Sequence, residues 1–74
     1  MILTDLKLGQ SAIVKKINLS EDLTHELISL GFSYGNTVIY ERSAPLGDPL
    51  QYYVAGNYIA IRKADASKIE VELV

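Results

Sequence analysis

Apolar residues in this chain fall into short clusters, and the spacing within the clusters changes from one region to the next. Near the C-terminus Ile69, Val71 and Leu73 alternate with Glu70 and Glu72. That is the two-residue period of a strand with one face buried. From Leu23 the period is different. Leu23, Leu27 and Leu30 stand at i, i+4 and i+7, which sets three leucines on one stripe of a helix. Ser20 is suited to cap that helix, and Glu21 and Asp22 lie where its dipole favours negative charge. Gly31 follows the last leucine and supplies the left-handed conformation that closes a helix.

The other clusters read as strands. Ser11 to about Leu19 carries Ile13, Val14 and Ile17, with the alternation broken at Lys15-Lys16, so a bulge is expected there. Asn36 to Ser43 contains Thr37, Val38, Ile39 and Tyr40, and Leu50 to Ala55 contains Tyr52, Tyr53 and Val54. Both have strand composition. Tyr58 to Arg62 follows Gly56-Asn57, a two-residue hairpin connection. Ala64-Asp65-Ala66-Ser67 reads as a single helical turn, and Thr4 to Gly9 as a short opening turn that Thr4 is placed to cap. Five short strands and one short α-helix predict a mostly β fold, a small closed barrel occupying residues 1–74 as one domain.

Composition narrows the functional classes. Hydrophobic residues make up 49% of the 74 and there is no cysteine, so neither disulfides nor thiolate metal sites are available to hold the fold. No apolar run approaches the ~20 residues of a membrane span. Together with the lack of a secretory leader pattern, this predicts a cytoplasmic protein without direct membrane insertion. The net charge is −2 and the seven basic residues are dispersed, which argues against nucleic acid as a partner. There is no phosphate-cradling loop, no nucleophile elbow and no second histidine to complete a catalytic base, so catalysis is not expected.

Candidate binding residues lie in two places. Arg42-Ser43-Ala44-Pro45-Leu46-Gly47-Asp48-Pro49 combines a proline that fixes φ, a glycine free to take positive φ and a second proline that restricts Asp48. An ordered loop is expected, with Ala44, Pro45, Leu46, Gly47, Asp48 and Pro49 as contact residues. Leu46 is either an exposed apolar anchor or a cap folded onto the barrel. Asp48 is expected to make a local turn hydrogen bond. Among five tyrosines, Tyr52 and Tyr58 are secondary contact candidates for a groove that takes extended peptides. Adjacent Tyr52 and Tyr53 must face opposite sides. His25 and Glu21, one helical turn apart, are weak metal candidates. The helical period turns His25 away from the Leu23 stripe to the solvated face, and two ligands alone make a poor site.

In order along the chain, these motifs resemble the FeoA family of ferrous iron transport. The resemblance rests on Asp5-Leu6 and Gly9, on Leu30-Gly31-Phe32 with Gly35, on the full run Arg42 to Pro49, and on Ala60, Arg62, Lys63 and Ala66. It implies an SH3-like barrel acting as a regulatory partner of FeoB, the membrane transporter with a GTP-binding domain, on its cytosolic side. Iron is then cargo, and no cofactor is expected. Related domains also serve as regulatory appendages of metal-dependent repressors, so a detached repressor domain, or a peptide-binding module outside iron transport, is the alternative. One departure stands out. Many relatives carry arginines in the helix, where this chain has Leu23-Thr24-His25-Glu26-Leu27, so a contact made through those arginines is closed to it. Self-association is conceivable if Tyr and Leu side chains lie exposed.

Overall fold

The computed structural model describes every residue from Met1 to Val74. A 3₁₀ turn at Leu3–Asp5 leads into β1 (Ser11–Ile17), α1 (Glu21–Ser29), β2 (Thr37–Ser43), β3 (Leu50–Val54), β4 (Asn57–Ile61), the short α2 (Lys63–Ala66) and β5 (Ile69–Leu73). The strands form one antiparallel sheet in the order β4-β3-β2-β1-β5. The sheet wraps around a single apolar cluster of 16 buried residues, to which all five strands contribute, and the Tyr52 hydroxyl is the one polar side-chain group in it. The hydrogen-bonded ladder does not close on itself: β4 and β5 are its two outer strands, and α2 connects them.

Local rules account for most elements. Ser20 caps α1 by accepting a hydrogen bond from the Leu23 amide at 3.2 Å. The expected bulge lies in β1, where the register against β5 shifts between Val14 and Lys16. It turns both Lys15 and Lys16 outward, whereas a regular strand would send them to opposite faces. The opening turn differs from expectation at its cap. It starts at Leu3, so Thr4 is inside it, and the Asp5 carboxylate reaches back to accept from the Ile2 amide at 3.0 Å.

Two other features depart from the sequence reading. The β3–β4 connection is Ala55-Gly56, one residue earlier than Gly56-Asn57, because Val54 pairs with Asn57. Ala55 adopts φ 50° and Gly56 φ 82°, the two positive angles that a type I′ turn requires. The exposed Ala55 side chain lies over the end of α1 at Gly31. An added Cβ on Gly31, whose φ is +98°, would meet the Ala55 Cβ at 2.6 Å. The helix end and the hairpin turn therefore fit together only because Gly31 has no side chain. The leucine stripe also docks incompletely. Leu27 is buried and Ile28 packs beside it, but Leu23 is half-buried and Leu30 is 43% exposed.

Candidate functional site

The loop between β2 and β3 is ordered by three hydrogen bonds. The Ala44 amide donates to the Pro49 carbonyl at 2.9 Å and the Gly47 amide to the Ala44 carbonyl at 2.8 Å. Ala44 to Gly47 is therefore a β-turn with Pro45 at its first corner, and Gly47 leaves it at φ 86°, which a residue with a Cβ would resist. The third bond is the one that the sequence did not reveal. The Asp48 carboxylate accepts from the backbone amide of Lys63 at 2.9 Å. Asp48 thus makes a bond across the fold and not the local turn bond expected of it. It supplies the cap that α2 lacks from its own neighbour Arg62, and it ties the loop to α2.

This scaffold carries Leu46 at its tip with 98% of its surface exposed. Leu46 does not fold back as a cap on the barrel. A leucine held fully in water by a hydrogen-bonded turn cannot contribute to this fold's core, and it presents an apolar group with little conformational freedom to lose on contact. At the base of the loop Arg42, Ala44, Pro45, Pro49 and Ala60 line a cleft of about 370 Å³. Arg42 is exposed and has no carboxylate within salt-bridge distance; the one ion pair of the molecule joins Lys15 and Glu72 at 3.1 Å.

The other sequence candidates separate. Tyr52 is 1% exposed and packs edge-on against Phe32, with ring centroids 6.3 Å apart, and beside Tyr40 at 5.4 Å. It is a core residue and leaves the contact surface. Burial, and secondarily the neighbouring Tyr40, push its phenol well above the ordinary value of 10.0. Tyr58 is 64% exposed and stands against Tyr53 at 5.0 Å on the outer face of the sheet. His25 and Glu21 are both exposed on α1, and nowhere in the fold do three or more His, Asp or Glu side chains gather. A second cleft of about 370 Å³ separates α1 from β4, with Leu23, Leu27 and Leu30 facing Ile59 and Ile61 across it. The leucine stripe that lines it is legible in the sequence, and its incomplete docking is not. No helix is long and apolar enough to cross a membrane.

A family model for the FeoA domain matches residues 1–73. Over all 74 residues the chain is 32% identical to the Fe(2+) transport protein A/Fe(2+) transporter FeoB fusion protein of Porphyromonas gingivalis, and it spans 9% of that protein's length. The solution structure of the FeoA protein from Chlorobium tepidum superposes with a TM-score of 0.96 at 31% identity, over 100% of this chain and 70% of that one. The zinc complex of Stenotrophomonas maltophilia FeoA, described as a prokaryotic SH3 domain protein, does so at 0.80 with 30% identity, over 97% of this chain and 89% of that one. The curled five-stranded sheet that carries α1 and the short α2 is thus an SH3-like barrel.

Proposed function

This chain belongs to the FeoA domain family, and on that premise we propose that it is a non-catalytic accessory of ferrous iron uptake that docks on the cytosolic part of a FeoB-type transporter. The observation carrying this reading is Leu46, wholly exposed at the tip of a loop fixed by Pro45, Gly47 and the Asp48–Lys63 bond. A few side chains that enter pockets carry most of an interface's affinity, and Leu46 is the side chain this loop offers to one. The fusion of the two proteins in Porphyromonas gingivalis supports the choice of partner, since a fused arrangement keeps a docking domain at high effective concentration. The loop meets the transporter without the helix arginines that this chain lacks, and exposed Arg42 gives the same face a positive charge.

Calorimetric titration of the chain against the cytosolic region of the transporter tests the proposal. Binding is expected, and Leu46→Ala should weaken it at least tenfold, about 1.4 kcal/mol, while its melting temperature stays within a degree or two of the parent. No heat at high micromolar concentration, or an unchanged affinity for Leu46→Ala, would count against this mode of docking.

A further inference from the structure

We infer that the free edge of β4 is a self-pairing site, at which β4 of a second copy adds antiparallel about a two-fold axis through Ile59. The inference starts from the hairpin. Val54 and Asn57 flank the two-residue turn, so they form its closing hydrogen-bonded pair. Alternation along an antiparallel ladder then bonds Tyr52 to Ile59 and Leu50 to Ile61, and directs the backbone groups of Tyr58 and Ala60 away from β3. No turn, loop or side chain elsewhere in the molecule bonds those two residues. The edge offers two amides and two carbonyls, with the alternating close and wide spacing of an antiparallel ladder, beside the cleft that separates β4 from α1.

Two of the usual protections of an edge are missing here. Asn57–Ile61 contains no charge and no proline, the devices that keep edges apart. The other outer strand is treated differently. β5 carries Glu70 and Glu72, and its free side is occupied by the N-terminus, with the Val71 amide donating to the Met1 carbonyl at 2.8 Å.

A second copy fits this edge in register and in shape. Pairing Tyr58 with Ala60 of the second copy, and Ala60 with its Tyr58, matches outward groups to outward groups and leaves Ile59 opposite Ile59 on the axis. Four hydrogen bonds form. On the outer face each tyrosine comes to lie opposite an alanine, so the large ring has room above the small side chain. Ala60 also borders the cleft lined by Arg42, Pro45 and Pro49, which gives the incoming ring apolar walls and a guanidinium. Tyr58, 64% exposed in the single chain, loses that exposure. A net charge of −2 per chain opposes the approach only weakly.

Sedimentation equilibrium from micromolar to millimolar concentration should show a reversible dimer, and the Tyr58 and Ala60 amides should become protected from hydrogen exchange as it forms. Tyr58→Glu/Ala60→Glu sets like charges directly opposite one another twice, and should raise the dissociation constant at least tenfold. The chain has no cysteine, so register can be read cleanly. A mixture of Tyr58→Cys and Ala60→Cys chains should form an intermolecular disulfide under mild oxidation, and each variant alone should not. This second readout serves if the glutamate variant fails to fold. A monomer at 1 mM, a dimer whose Tyr58 and Ala60 amides exchange freely, protection of those amides only by the transporter region, or cross-linking as readily within one variant as in the mixture would each overturn the inference.

Discussion

β5 and β4 are outer strands of one sheet, yet their free sides are finished in different ways. Along β5 the chain's own first residues complete the ladder, Met1 bonding Val71 and Ile2 bridging Glu70, and Leu3 follows into the core with none of its surface exposed. Along β4 nothing bonds the outward amides, and Tyr58 and Ala60 stand in solvent. Both strands bury alternate residues in the same core, so hydrophobic drive alone does not distinguish them. The difference lies in what satisfies the backbone. A covered edge is part of the fold's stability, and an uncovered one is available for recognition. The face around β4 has the Leu46 loop at one end and the α1 cleft at the other, and Leu30, Leu46 and Tyr58 are exposed there.

The sharpest way to break the contrast is at the covered edge. Leu3→Ala removes a fully buried side chain from beneath the segment that bonds β5. A loss of about 3–5 kcal/mol is expected, a large share of the stability of so small a domain. Tyr58→Ala at the open edge should cost only about 0.5–1 kcal/mol, through its contact with Tyr53. Urea denaturation of the two variants at low protein concentration compares them. Equal costs would mean that the two edges contribute alike.

A smaller effect sharpens the comparison from the β4 side. Gly31→Ala meets both the unfavourable φ of +98° and the Ala55 Cβ at 2.6 Å, so roughly 2–4 kcal/mol should be lost. Ala55→Gly in the same chain removes the collision and should restore part of it. The two changes are therefore expected to be non-additive by about 1 kcal/mol or more in thermal or urea melts. Strict additivity would mean that the helix end and the hairpin turn do not bear on each other.

These contacts also mark where the sequence stops being readable. The cap and dipole signals of α1, the bulge at Lys15-Lys16 and the alternation of β5 are local, and each stands where its own residues place it. The hairpin turn falls one residue before Gly56-Asn57 because Ala55 takes a positive φ that alanine seldom adopts unaided. Only the distant Gly31 makes room for it. That Tyr52 and Tyr53 face opposite sides follows from strand geometry, but which of them faces inward depends on register. The composition of the loop announced order around Leu46 without saying whether the leucine turned in or out. Its answer lay with Asp48 and an amide fifteen residues away. Open edges are harder still, since an unpaired strand and a paired one can have the same composition.

The smallest predicted effect concerns Tyr52, whose hydroxyl lies 3.5 Å from the Leu3 carbonyl and links β3 to the segment covering β5. At that length the bond is weak, so Tyr52→Phe should change stability at neutral pH by well under 1 kcal/mol. Alkaline solution separates the two proteins. Burial first, and the Tyr40 phenol second, hold the folded Tyr52 phenol above its ordinary value of 10.0. Above about pH 10 the unfolded chain therefore gives up this proton while the folded chain keeps it. The unfolded state binds fewer protons, and stability falls with rising pH by up to about 1.4 kcal/mol per pH unit, with no such contribution below that range. Urea melts between pH 8 and 11 should show this slope in the parent and a shallower one in Tyr52→Phe. Identical slopes would leave the hydroxyl at the meeting of β3 and the covered edge without a measurable role.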